Sequence, residues 1–350
     1  MIKLKTKFLQ EDMILANNIY TKNDEILLGE GIQLKQVYID KLLELGISEV
    51  YVHIPSTEDI VVSDVIKEEN RRKAHNIIRE TMKNICSDGD IRMKKIGEIV
   101  DKIIEDLLSN DSIIVNLSLV RSIDDYTFSH SVNVCVYALI IGISLGYKKE
   151  NLKELGVGAI LHDIGKMLIN PQVLNKPGKL TEDEYEYIKS HTKLGYEIVK
   201  DNKNISESSA QIILTHHERF DGDGYPLKLK GEEIREYSKI VAICDVYDAL
   251  TSDRVYKSKE LPHKVVEYLI SMGHHQFDYD LVKKFITHIP CYPIGTILKL
   301  STNDVGVVSE IYEKYPNRPL VRCISKEKGI KDVSLLYNPS IEIIGVLEKL

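Results

Sequence analysis

Five short stretches of the chain place histidine or aspartate inside otherwise apolar runs. They are YTFSHSVNV with His130, AILHDIGKM with His162 and Asp163, KSHTKLGYEI with His191, ILTHHERFDGDGYP with His216 and His217, and VAICDVYDAL with Asp245. Polar groups in such runs are costly to bury unless something binds them. Neutral imidazoles and carboxylates brought together are good ligands for divalent Fe, Mn, Zn or Ni. A lone histidine such as His130 is more often a hydrogen-bonded core residue. An HD pair, an HH pair and a buried aspartate in one segment are better explained by metal. Asp163 can offer one carboxylate oxygen to each of two metals while His162 binds one of them. Lys166 follows three residues after Asp163 and four after His162, which on one helical side lets a cation meet a bound phosphate oxygen. Two metals about 3.5–4 Å apart activate water and stabilise in-line displacement at phosphorus. These parts imply phosphate-ester hydrolysis.

The elements that must position these residues come from the patterning of a 350-residue chain with net charge −7, 43% hydrophobic and 28% charged residues. That charge argues against a protein whose main task is gripping nucleic acid. Residues 1–60 alternate in the strand manner around turn glycines and read as a small β-rich module with one short helix. Residues 61–118 carry apolar residues at helical spacing and read as an amphipathic connector, suited to pairing with a second copy or packing on its own domain. His75 is expected on its solvated face, and His53 at the surface or in packing. Residues 119–290 are helical in pattern and hold the other nine histidines, of which His263, His274, His275 and His288 are read as ordinary. Residues 291–350 alternate again and read as a β-rich tail. No apolar run reaches the length of about 18 residues that suggests a membrane span. The N-terminus lacks a signal-peptide core, and the five scattered cysteines suit a reducing compartment. A cytoplasmic location is expected.

The ordered set HD at 162–163, HHE at 216–218 and DGDGYP at 221–226 resembles the HD-GYP domain, a branch of the HD phosphohydrolase superfamily. The similarity runs from about Asp124 to Pro290. It implies an all-helical metal phosphohydrolase domain in a mainly α chain, flanked by the small β-rich module and tail. It also implies hydrolysis of the bacterial second messenger cyclic di-GMP to linear pGpG, which members often cut further to GMP, with two divalent metals, Fe or Mn. By that resemblance His130, His162, Asp163 and Asp245 hold one metal. Asp163 bridges to a second, held by His191, His216 and His217. Lys166 contacts the scissile phosphate, while Tyr225, Arg254 and Lys257 hold the dinucleotide. Physical reasoning adds that Gly222 and Gly224 make a tight turn, stiffened by Pro226, that can present Tyr225 outward. Arg254 and Lys257 offer two cations on one helical face, and Thr251–Ser252–Asp253 are expected to break the helix carrying Asp245.

Two positions depart from the family pattern. Some members carry glutamate four residues before the first histidine, supporting a third metal; Tyr126 stands there, with Asp124 and Asp125 upstream, so two metals are expected. EYSKI replaces a common Ala-Arg pair by Ser238 and Lys239, with little effect expected. Rival readings are an HD hydrolase of another nucleotide and a non-catalytic cyclic di-GMP sensor. A homodimer through residues 61–118 and a GGDEF-type partner docked on the GYP loop fit either.

Overall fold

A computed structural model describes residues 1–21, 25–62, 64–85, 92–110, 126–252, 259–325 and 329–350. The chain forms two compact units, one made mainly of residues 1–65 and 287–350, the other of residues 66–111 and 127–286.

In the first unit, strands β1 (Ile2–Lys5), β2 (Ile14–Leu15), β3 (Ile19–Tyr20) and β4 (Ile26–Leu28) precede helix α1 (Gln36–Glu44) and strand β5 (Glu49–His53). β1 and β2 flank β5 antiparallel, and β3 pairs with β4. Strands β6 (Ile297–Leu300), β7 (Val305–Tyr312), β8 (Tyr315–Ser325), β9 (Gly329–Ser334) and β10 (Ile343–Leu347) form an antiparallel sheet of order β10-β6-β7-β8-β9. Alternating residues of both sheets meet in one apolar cluster that joins Ile2, Leu4, Leu15, Val50 and Val52 to Ile297 and Val307. The first and last stretches of the sequence therefore share a core. Neither small sheet could bury enough apolar surface alone.

The second unit is helical. Its elements are α2 (Glu68–Ile85), α3 (Met93–Leu108), α4 (Tyr126–Ser144), α5 (Lys149–Leu161), α6 (Pro171–Leu174), α7 (Glu182–Lys189), α8 (His191–Val199), α9 (Glu207–Thr215), α10 (Glu236–Thr251), α11 (Pro262–Ser271) and α12 (Tyr279–Ile286). Local signals start several of them. Thr181 and Glu184 form a reciprocal capping box at α7, Ser206 accepts the Ser209 N–H at α9, and Pro262 opens α11. Segment Thr127–Ser144 of α4 is long and apolar enough by composition to cross a membrane, but 67% of it is buried inside this unit. Its apolarity is used in the core, through Val132, Val136, Leu139 and Ile140.

The amphipathic connector packs on its own unit. Ile78 and Met82 of α2 and Ile96, Val100 and Ile103 of α3 are fully buried. His75 is buried too, its ring edge-on to Phe128 at 5.6 Å. This corrects its assignment to the solvated face: the inward face of α2 is partly polar, so hydropathy alone misreads it.

Candidate metal centre

Five helices bring the candidate ligands to one buried point. His130 lies one turn into α4, His191 opens α8, His216 and His217 follow α9, and Asp245 lies within α10. His162 and Asp163 sit where α5 ends and a 3-10 turn over Ile164–Leu168 begins. The HD pair is therefore at a helix break and not on one continuous helix. The tighter turn brings positions i and i+3 together, and Lys166 pairs with the Asp163 carboxylate. Gly165 permits the turn: a Cβ there would lie 1.9 Å from the His191 carbonyl oxygen. Backbone meets backbone at that point, which sets His191 beside Asp163.

The two Asp163 oxygens face different partners. Oδ2 is 3.3 Å from His162 Nε2 and 3.8 Å from His130 Nε2. Oδ1 is 3.4 Å from His191 Nε2 and 3.8 Å from His216 Nε2. Across the centre, Asp245 has one oxygen 3.1 Å from His130 Nε2 and the other 3.8 Å from His217 Nδ1. Within each of two groups, Asp163–His191–His216–His217 and His130–His162–Asp245, ligand atoms lie within 4.8 Å of one another.

The donor set fits cations. His162 Nε2 and Asp163 Oδ1 are buried without a hydrogen-bond partner among the described residues. Such orphans cost about 1–3 kcal/mol each unless a ligand takes them up. The imidazoles are also oriented for it. The outer Nδ1 of His162 lies 2.7 Å from the Ala159 carbonyl, that of His191 2.8 Å from Ile188, and that of His216 3.1 Å from Ile213. A carbonyl only accepts, so each Nδ1 carries the proton and each Nε2 lone pair points inward.

Electrostatics separate the two groups. Burial, only partly opposed by Asp163, lowers His191 to about 4, and burial, only partly opposed by Asp245, lowers His217 to about 3. Burial and the neighbouring His217 hold His216 well below the usual range. These imidazoles are neutral and ready to ligate. Burial opposes charge on His130 as well, but hydrogen bonds to Asp245 and Asp248 outweigh it and raise it to about 9. Asp163 stays ionised despite burial because Lys166 and His162 favour its carboxylate. Together the groups suit divalent metal ions, with clustered histidine and carboxylate ligands.

The DGDGYP loop closes one side. Buried Glu218 accepts the Leu227 N–H at 2.6 Å and the Leu229 N–H at 3.0 Å, and the Tyr225 N–H donates to the His217 carbonyl at 3.2 Å. Gly224 presses on the Glu218–Arg219 backbone, where a Cβ would come within 2.3 Å of a backbone nitrogen. Pulled back this way, Tyr225 does not point outward as the turn glycines suggest. Its ring stacks on His217 at 4.8 Å between centroids, with the Lys189 ammonium 5.4 Å from the Tyr225 ring centre. The loop also docks on the turn holding His274 and His275, through Asp221 N–H to the His275 carbonyl at 2.7 Å. Lys239 is buried between Asp278 and Glu232, under Phe220. The departure at EYSKI thus supplies an anchor for the same loop.

Helix α10 ends at Ser252, which is extended, as the expected break requires. Arg254 and Lys257 lie outside the described residues, as do Asp124, Asp125 and the Tyr126 side chain. Sequence reasoning missed Asp248, whose Oδ2 is 2.7 Å from His130 Nδ1. Its signal was present as a second carboxylate three residues after Asp245, on the same helical face. Glu218 was also passed over, although it directly follows the histidine pair.

Comparison with known proteins agrees with this geometry. The HD domain family model matches residues 105–281. A cyclic di-GMP phosphodiesterase of Pseudomonas aeruginosa is 34% identical over 226 residues, 65% of this chain and 54% of the relative. A cyclic di-GMP phosphodiesterase response regulator of Xanthomonas campestris is 42% identical over 140 residues, 40% of this chain and 37% of the relative. A 3'3'-cGAMP-specific phosphodiesterase of Vibrio cholerae is 32% identical over 163 residues, 46% of this chain and 31% of the relative. The chain thus spans about half, or less, of the length of these relatives. With half of its residues matched and the HD, HHE and DGDGYP motifs gathered at one centre, the chain belongs to the HD domain family, in its HD-GYP branch.

Proposed function

We propose that this protein is a phosphodiesterase that hydrolyses cyclic di-GMP to pGpG, using two divalent ions, Fe or Mn. The observation that supports it most directly is the split of the Asp163 carboxylate, one oxygen toward His130 and His162 and the other toward His191 and His216. The assignment places His130, His162, Asp163 and Asp245 on one ion, and Asp163, His191, His216 and His217 on the other. When bound, such a pair supplies positive charge against the phosphate and an acidified water at neutral pH.

The chain's own residues then do the rest. Lys166, on the partly exposed side of the HD turn, contacts a non-bridging phosphate oxygen where charge develops. The leaving ribose 3′-oxygen takes a proton from Lys166 or from water. Tyr225, held over His217, offers a ring face to a nucleobase, and Arg254 and Lys257 bind the anionic backbone. Residues 119–290 form the catalytic domain in this reading, and the protein works in the cytoplasm. A homodimer through residues 61–118 uses the outward faces of α2 and α3, since their apolar faces are buried. The GYP loop is the surface for a GGDEF-type partner.

The test is anaerobic purification with metal analysis, then incubation with cyclic di-GMP and chromatography against pGpG and GMP. Two metals per chain with product formed supports the assignment. Two metals without product moves the reading to a cyclic di-GMP sensor. The Vibrio cholerae relative named for 3'3'-cGAMP favours a parallel run with that dinucleotide, and faster turnover of it would reassign the substrate.

A further inference from the structure

We infer that Arg71 of α2 is a positioning residue for His130, acting through Asn133 and Asp248. The inference rests on His130 being a metal ligand. Arg71 Nη1 donates to Asn133 Oδ1 at 2.9 Å, Asn133 Nδ2 donates to Asp248 Oδ1 at 2.8 Å, and Asp248 Oδ2 accepts from His130 Nδ1 at 2.7 Å. Each link has only one chemical sense. A guanidinium can only donate and a carboxylate only accept, so the amide between them must turn its oxygen to Arg71 and its nitrogen to Asp248. The carboxylate is thereby held where its Oδ2 receives the His130 Nδ1–H, and His130 Nε2 faces Asp163 and Asp245. Arg71, His130 and Asp248 are all less than 5% exposed and Asn133 is half-buried, so water competes poorly for the His130–Asp248 bond in particular.

His162, His191 and His216 lean on carbonyls of their own local turns. His130 leans instead on a side-chain relay that reaches another helix. That helix also meets α4 at Phe128, on which His75 and Arg79, four and eight residues after Arg71, both pack. Arg71 also precedes residues 105–281, the part matched by the family model. The relay therefore makes one of two metal positions depend on the placement of α2.

The test uses the full chain with Mn²⁺, read by metal content and by electron paramagnetic resonance titration of each site. Arg71→Met should weaken one of the two sites about tenfold and leave the other unchanged, as loss of an outer-shell partner does. The value of kcat should fall while KM holds, and Arg71→Lys should recover most of the affinity. Asn133→Ala should give the same one-site loss, and the double variant Arg71→Met/Asn133→Ala should be no worse than either single one. Lys73→Ala, at an exposed ion pair with Glu69 on the same helix, serves as the control and should leave both sites unchanged. If Arg71→Met does not fold, Asn133→Ala carries the test alone. Two sites of unchanged affinity in a folded variant, or equal weakening of both, would overturn the inference while leaving the two-metal assignment intact. A wild-type protein that takes up no Mn²⁺ would overturn both.

Discussion

The two halves of the centre are built on different principles. The half around His191, His216 and His217 is rich in imidazole, and burial keeps those rings neutral. His191 is held by the Ile188 carbonyl at the end of α7, three residues before it, and His216 by the Ile213 carbonyl of α9, which it follows. The half around His130, His162 and Asp245 has a histidine between two carboxylates and is braced through Asn133 by a helix outside the family match. One half is fixed locally and chemically ready; in the other His162 is held locally as well, but His130 is fixed by tertiary contacts and carries a proton to be displaced. Asp163 joins them.

The largest expected effect breaks that join. Asp163→Ala removes the carboxylate the two halves share, so turnover should fall by about 10³ or more and metal content should drop below two per chain. Full metal content with retained activity would show that the halves are independent and that Asp163 is not their bridge.

Next in size is Lys166→Ala. Lys166 is a cation and cannot replace a ligand, so both halves should keep their metal while kcat falls about 10²–10³-fold. Metal analysis beside kinetics separates this from Asp163→Ala. Loss of metal from the Lys166 variant would instead make the ammonium a structural partner of the bridge.

Acidity sharpens the comparison further. His130 holds its proton up to about 9, and a cation must expel that proton from Nε2 to bind. Affinity of that half should therefore rise about tenfold per pH unit below that value and level off above it. His191 and His217 titrate at about 4 and about 3, so the other half should be flat across neutral pH. Mn²⁺ titrations at several pH values between neutrality and mild alkali check this. Parallel slopes for both sites would remove the distinction.

How legible this arrangement was in the sequence follows the same division. The residues that cluster stood out because histidine and aspartate inside apolar runs such as AILHDIGKM are costly to bury without a partner. Their grouping around one point followed from a single helical segment. The bracing did not stand out. Arg71 lies on a helix whose charges read as solvated, Asn133 is an unremarkable polar residue in a buried helix, and only tertiary packing brings 71, 133 and 248 together. The switch from α to 3-10 at the HD pair was hidden as well, since the need for Gly165 comes from the α8 backbone against it and not from local propensity. The shared core of the first and last strands was equally silent, because alternation shows which face is buried and not against what.

The smallest effect tests whether Tyr225 belongs to the ligand-binding loop or to the metal half it covers. Its ring stacks on His217, while its backbone is held through the His217 carbonyl and the loop through Glu218. If the ring face serves the nucleobase, Tyr225→Phe should leave KM within about twofold, since the hydroxyl is not needed for stacking. Tyr225→Leu should raise KM about fivefold, the loss of an aromatic pair worth about 1 kcal/mol. Metal content should be unchanged in both. A Tyr225→Leu variant that loses metal, or whose kcat falls while KM holds, would place the ring in the imidazole-rich half as a clamp on His217. That half would then owe part of its readiness to the loop and not to its own helices alone.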